Sequence, residues 1–370
     1  MKSRPLKFVI SGGGTGGHIF PAIAIAEAIK AREADADLLF IGALGRMEME
    51  KVPKAGYRIK GLWISGFQRK MTLGNLLFPF KLGVSLLQAY AILKQYKPDV
   101  VIGVGGYASG PTLKMAVQLK IPSLIQEQNS FPGVTNRLLA NKVSKICVAY
   151  DKMNQWFPEE KTMLTGNPIR QQAVEVIGKK SEASRFFGLN IEQKTMLIVG
   201  GSQGALAINE AILKDVELLG NQPFQLIWQT GKSFYDQAKA AVESHGLSHK
   251  IIVTAFIDRM DLAYALADLI ISRAGAMSIS EICVLGKASI LVPLPSAAED
   301  HQTSNARRLE SKKAAVLIKN EEAVSKLVST GIQLLANEER LKLMAEEAKK
   351  LALPHAGKLI ADEIFKLVRP

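Results

Sequence analysis

Ser272-Arg273-Ala274-Gly275-Ala276-Met277-Ser278-Ile279-Ser280-Glu281 follows directly on the apolar run 268–271. The run has the length and composition of a buried strand, and Gly275 then turns the chain. Ser278 opens an amphipathic helix carrying Ile279, Ile282 and Leu285. A strand–turn–helix of this kind leaves backbone N–H groups unpaired at the helix start, where the dipole is positive, and so suits a phosphate. Glu281 has two readings. Ser278-x-x-Glu281 fits a capping box. Alternatively the carboxylate, which would repel a phosphate, is aimed at a ribose diol. The next strand, 288–294, leads to Glu299-Asp300-His301-Gln302-Thr303-Ser304-Asn305, a second polar cluster opening a helix. Two such strand ends side by side make one nucleotide pocket at the carboxyl edge of a parallel sheet.

Outward from this stretch the same unit recurs. Strands at 196–199, 225–229, 251–255, 289–292 and 315–318 alternate with helical segments, and the first of them runs into Gly200-Gly201-Ser202-Gln203-Gly204. In the N-terminal half, 6–10 runs into Ser11-Gly12-Gly13-Gly14-Thr15-Gly16-Gly17-His18 and a helix with Ile19, Ala22, Ile23, Ala26 and Ile29 at helical spacing. Strand 38–42 follows, then 99–104 before Gly105-Gly106-Tyr107-Ala108-Ser109-Gly110-Pro111, 122–125 before Gln126-Glu127-Gln128-Asn129, and 146–149. Strands alternating with helices call for parallel sheets and right-handed crossovers, so each half reads as a doubly wound α/β domain. Thr165-Gly166-Asn167-Pro168-Ile169-Arg170 and the weakly apolar segment after it mark the linker. The domains are placed at 1–166 and 167–349, with a C-terminal helix at about 350–370 returning to the first.

Composition narrows the function. The chain of 370 residues has 48% hydrophobic and 22% charged residues, a globular balance, and a formal net charge of +13 that favours anionic partners. Cys147 and Cys283 sit apart in apolar runs, as buried free thiols in a reducing compartment do. No signal peptide and no spanning helix is read, so a cytosolic protein is expected. Between 62 and 93, Trp63, Phe67, Leu73, Leu76, Leu77, Phe78 and Phe80 are interleaved with Lys70 and Lys81. That mixture suits insertion at an anionic membrane surface, or a core helix with a basic solvent face. Asp35-x-Asp37 precedes a strand instead of ending one, which reads as a loop and not as a metal pair.

These motifs, in this order and spacing, closely resemble the MurG family, the transferases that add N-acetylglucosamine to lipid I in peptidoglycan synthesis. The resemblance runs over nearly the whole chain. It implies a GT-B fold, two Rossmann-like domains facing across a cleft, and an inverting, metal-independent enzyme with no cofactor, which turns lipid I into lipid II. By resemblance the C-terminal domain holds UDP-N-acetylglucosamine. Ser202 and its glycine loop would meet the phosphates, Ile257 the uracil, Gly275, Ala276 and Met277 would supply backbone donors, and Glu281 would take the ribose hydroxyls. Gln302 would contact the sugar or diphosphate and Arg170 the phosphates, with Thr15, Gly16, Gly17 and Asn129 completing the donor site. Gly13, Gly14, Gly105, Gly106 and Tyr107 would receive the acceptor's pyrophosphate. Partners would be the donor, lipid I at the cytoplasmic face of the inner membrane, and other cell-wall synthesis and division proteins, but no nucleic acid.

A base must take the acceptor proton. His18 opens a helix and belongs to the right pKa class, although a role in orienting the loop or binding acceptor remains open. A transferase using another lipid, such as diacylglycerol, is the alternative within the fold. A Rossmann oxidoreductase is disfavoured, because the Gly-x-Gly-x-x-Gly spacing is poorly met and no acidic residue ends the second strand. A nucleic-acid-binding protein is disfavoured because Lys and Arg are spread along the chain without a reading module.

Overall fold

The computed structural model describes residues 4–66, 77–201, 204–297 and 300–368. The chain forms two compact units, one of residues 1–170 with 354–370 and one of 171–353.

The first unit is built on a seven-stranded sheet in the order β3-β2-β1-β4-β5-β6-β7. Its strands are β1 (Lys7–Ser11), β2 (Asp37–Ala43), β3 (Arg58–Leu62), β4 (Val100–Gly103), β5 (Ser123–Glu127), β6 (Lys145–Val148) and β7 (Thr162–Leu164). All pair in parallel. Strands covered on both faces read as continuous apolar runs, and Phe8–Ile10 and Val100–Ile102 are wholly buried. The order reverses between β1 and β4, so the helices that follow these strands pack on opposite faces of the sheet while their opening loops meet at its carboxyl edge. The glycine-rich stretches after Ser11 and Gly103 are those loops. The helix Ala356–Val368 completes this unit. Its Phe365 stacks edge-on against Phe8 at 5.6 Å, Ile360 and Ile364 enter the same core, and Glu363 pairs with Lys145 at 3.4 Å.

The second unit repeats the plan with six parallel strands in the order β10-β9-β8-β11-β12-β13. They are β8 (Thr195–Val199), β9 (Gln225–Gln229), β10 (Ile251–Thr254), β11 (Ala267–Ser272), β12 (Ala288–Leu291) and β13 (Val316–Leu317). Here the reversal lies between β8 and β11, again beneath two glycine-containing turns. Trp228, fully buried, donates its indole N–H to Asn209 Oδ1 at 3.1 Å, so the largest core side chain is also satisfied. Cys147 and Cys283 are free and buried, and burial pushes both thiols up to about 12, which leaves them inert. No helix among the described residues is long and apolar enough to cross a membrane.

Candidate active site

In the second unit the decisive turn leaves β11 at Ser272. The helix Ala276–Leu285 begins two residues earlier than its sequence suggests, with Gly275 as N-cap at φ −67°, ψ 142°. Its first closing bond is Ile279 N–H to Gly275 O at 3.0 Å. Helix geometry therefore leaves the amides of Ala276, Met277 and Ser278 without an intrahelical partner, aimed out of the carboxyl edge of the sheet. Ser278 lies inside the helix, so the Ser278–Glu281 capping box does not form. Glu281 is 9% exposed, and its Oε2 accepts from the Tyr264 hydroxyl at 2.8 Å.

The neighbouring loop is held by its side chains. Arg273 Nη1 donates to the Val292 and Pro293 carbonyls at 3.2 and 3.1 Å and to Asn320 Oδ1 at 2.7 Å. Gln302, in the helix His301–Glu310, accepts the Leu294 amide on Oε1 at 2.9 Å, which turns its amide nitrogen to other partners. The Ile257 side chain is buried in the core, so a base received there meets its main chain and the half-exposed ring of Phe256. Ser202 lies outside the described residues. Just before it, the Gly201 carbonyl accepts from Gln229 Nε2 at 3.0 Å.

In the first unit the loops after β1 and β4 are packed against each other. A Cβ on Gly106 would stand 2.2 Å from the Gly13 carbonyl oxygen, and φ of +84° also excludes ordinary side chains there. His18 sits in the first turn of the helix Gly16–Arg32. Its Nδ1 is 3.4 Å from Thr15 Oγ1, and its Nε2 edge lies over Gly105, where a Cβ would approach to 2.9 Å. The amides of Gly16 and Gly17 open this helix without i−4 partners. Tyr107 is 45% exposed at the rim. His18, Thr15, Gly16, Gly17, Gly105, Gly106 and Tyr107 thus gather around one sheet reversal.

A residue with no local sequence signal supports this loop. Glu48, 1% exposed, accepts the Gly14 amide at 2.9 Å on Oε2 and the Ala43 amide at 2.9 Å on Oε1. Its carboxylate fills the space that a Gly13 side chain would need, 2.1 Å from the ideal Cβ. The Gly14 amide is therefore engaged, and a phosphate on this loop would be met by other donors.

The polar run at the end of β5 forms a buried lattice. Gln128 Nε2 donates to Val104 O at 2.9 Å, Gln126 Nε2 donates to Asn167 Oδ1 at 3.2 Å, and Asn167 Nδ2 donates to the Gln128 carbonyl at 3.1 Å. Burial pushes the Glu127 carboxyl up, against hydrogen bonds from Asn129, Asn136 and Gly133. Asn129 Nδ2 reaches Glu127 Oε1 at 3.3 Å, so this side chain is oriented from below. Arg170 lies over the Phe20 ring at 4.8 Å, with its Nε buried and lacking a hydrogen-bond partner.

Away from these loops, the helix Phe78–Tyr96 buries only Ser85, Ala89 and Leu93. With Met115 it lines an apolar groove of 740 Å³ that includes Pro79, Phe80, Leu87 and Tyr90. Phe80 is 63% and Leu87 72% exposed, and Leu77 is exposed as well. Trp63 packs edge-on with Phe80 at 5.9 Å beneath Lys81 Nζ, 5.7 Å from the indole. A core helix with a purely basic outer face would not expose these rings. Phe67, Lys70, Leu73 and Leu76 lie outside the described residues.

Comparison with known proteins agrees with this architecture. The N-terminal domain of glycosyltransferase family 28 matches residues 8–148 and its C-terminal domain residues 195–360. A UDP-N-acetylglucosamine–N-acetylmuramyl-(pentapeptide) pyrophosphoryl-undecaprenol N-acetylglucosamine transferase of Flavobacterium psychrophilum is 50% identical over 98% of both chains. The enzyme of that name from Phocaeicola vulgatus is 52% identical over 98% of this chain and 96% of its own. Among solved structures, Acinetobacter baumannii MurG superposes with a TM-score of 0.77 at 30% identity, covering 98% of this chain and all of that one. A UDP-GlcNAc 2-epimerase from Neisseria meningitidis shares the fold at a TM-score of 0.67 and 15% identity. With the two GT-B domains in place and both family-28 domains matched, the chain belongs to the MurG family of glycosyltransferase family 28.

Proposed function

We propose that this chain transfers N-acetylglucosamine from UDP-N-acetylglucosamine to the C4 hydroxyl of the MurNAc unit of lipid I, forming lipid II. The observation that carries this reading is 50% identity, over 98% of both chains, to a transferase named for that reaction. In the second unit, the amides of Ala276 and Met277 receive the diphosphate, Glu281 the ribose hydroxyls and Gln302 the sugar or diphosphate. In the first, the glycine loops receive the acceptor's pyrophosphate. His18, with Nδ1 turned to Thr15, takes the hydroxyl proton on Nε2 as the acceptor oxygen bonds to the anomeric carbon. The bond to UDP breaks with its electron pair, inverting that carbon, and the departing diphosphate gains charge that preorganised helix amides and Arg170 stabilise. The test is transfer of radiolabelled GlcNAc to a short-chain lipid I analogue, with UDP-galactose and diacylglycerol as controls. A butanol-extractable product is expected only from UDP-GlcNAc with lipid I; glycosylated diacylglycerol would reassign the acceptor.

The chain is further proposed to work as a peripheral protein at the cytoplasmic face of the membrane. Leu77, Phe78 and Phe80 with Leu87 would enter the headgroup boundary and Lys81 would meet anionic lipid. Each fully buried apolar side chain contributes about 1.5–3 kcal/mol and each lysine about 1 kcal/mol near such a surface. The double variant Phe80→Asp/Leu87→Asp is therefore expected to lose at least about tenfold in affinity for phosphatidylglycerol vesicles. Co-sedimentation unchanged from the parent would remove this face from the membrane.

A further inference from the structure

We infer that Glu48 is a positioning residue for acceptor recognition, acting through the two glycine loops of the first unit. It opens the helix Glu48–Lys54 after β2 and is 1% exposed against the loop that follows β1. Its Oε2 accepts the Gly14 amide and its Oε1 the amide of Ala43, the last residue of β2, both at 2.9 Å. One carboxylate thus ties the first glycine loop to the neighbouring strand. The contact is close, since neither Gly13 nor Gly42 leaves room for a Cβ beside the Glu48 side chain. Gly13 also meets the second glycine loop, where its carbonyl oxygen leaves no room for a Cβ on Gly106. The Tyr107 ring follows, 3.4 Å from where a Gly14 Cβ would stand. Glu48 therefore backs a stack that runs through Gly13 and Gly14 to Gly106 and Tyr107.

Glycine backbone has the most freedom to lose, so a loop of consecutive glycines is costly to order when a ligand arrives. Two charge-assisted bonds to a fixed carboxylate order it beforehand, and preorganisation of that kind raises affinity. The same bonds withdraw the Gly14 amide from a ligand, which leaves an anion to the amides of Gly16 and Gly17 that open the following helix. A negative charge placed behind a pyrophosphate site would by itself repel the ligand. Positioning and charge therefore predict opposite signs for loss of Glu48. The inference rests on the reading that these loops receive the acceptor's pyrophosphate.

The experiment is steady-state transfer with the short-chain lipid I analogue and UDP-GlcNAc each varied, on the parent, Glu48→Gln, Glu48→Asp and Tyr107→Ala. Glutamine keeps the shape, but its one oxygen can serve only one amide while its Nε2 faces the other. Aspartate keeps the charge and is one methylene short of spanning both. Each Glu48 variant is expected to raise KM for the analogue about tenfold, with donor KM and UDP affinity within about twofold, as loss of one charge-assisted bond implies. Equal rises for both substrates would overturn the positioning role, as would a kcat loss that follows the folded fraction with both KM values unchanged. A lowered acceptor KM in Glu48→Gln, or a rise there that Glu48→Asp does not share, would overturn it too, by making charge and not the bridge what matters. Tyr107→Ala, at the exposed rim, tests the underlying reading separately. If it raises acceptor KM and the Glu48 variants do not, the inference fails and that reading stands; if none of them does, both fail. Should Glu48→Gln not fold, Glu48→Asp carries the same expectation.

Discussion

Replacing His18 with alanine is expected to lower kcat by about 10²–10⁴-fold, the range that a positioned general base contributes, while UDP affinity stays within a few-fold. The residue sits where the first unit concentrates its chemistry. Its imidazole opens the helix Gly16–Arg32 and its Nε2 edge lies over Gly105, at the reversal between β1 and β4. Thr15 Oγ1, 3.4 Å from Nδ1, can hold one tautomer and so leave Nε2 basic. An attacking hydroxyl must shed its proton as the new bond forms, and water is a poor acceptor for it. Loss of the base therefore raises the barrier without disturbing groups that bind the nucleotide, which places the effect on kcat and not on donor KM. The measurement is steady-state transfer to a lipid I analogue together with UDP binding. Turnover within a few-fold of the parent would reduce His18 to a loop-orienting residue. Thr15→Val, which keeps the ring and removes the hydroxyl, would then separate orientation from proton transfer.

The parts of the fold legible in sequence are those whose signal is local. β1, β4 and β8 are covered on both faces and appear as unbroken apolar runs, so their boundaries are read to within about one residue. β3 and β7 escape such a reading because charged residues interrupt the first and the second has only three residues. β3, Arg58-Ile59-Lys60-Gly61-Leu62, alternates charged and apolar residues and resembles a loop. The glycine loops are visible since glycine itself is the signal, but Glu48 is not. Met47-Glu48-Met49-Glu50-Lys51 has the look of a solvated helix, and only the folded chain brings Gly13, Gly42 and two amides around that carboxylate. The polar run Gln126–Gln128 is misleading in the opposite sense. Polar residues massed at a strand end suggest a ligand, yet all three side chains are buried and bonded to protein groups. Spacing alone also favours a capping box at Ser278, whereas the helix begins earlier, with Gly275 at the N-cap.

That earlier helix start changes what Glu281→Ala should do. A capping glutamate would be expected to cost helix stability and little else, but Glu281 stands well inside the helix and is bonded to Tyr264 instead of to the first-turn amides. The proposed ligand contact of this side chain lies in the same helix whose first turn carries the Ala276 and Met277 N–H groups. Two ribose hydroxyls donating to a carboxylate are worth at least about 1.5 kcal/mol each, so the expected rise in donor KM is about 100-fold. kcat should change little, since the ribose is remote from the anomeric carbon and its contacts persist from ground state to transition state. The variant leaves the Tyr264 hydroxyl short of its carboxylate partner, at about 1–3 kcal/mol, which predicts a melting temperature several degrees lower but a folded protein. Both quantities are measurable on one preparation, by donor titration and thermal melting. A melting shift with an unchanged KM would make the Tyr264–Glu281 bond a structural tie between two helices. A raised KM with the fold intact is the result expected if the same carboxylate meets the donor.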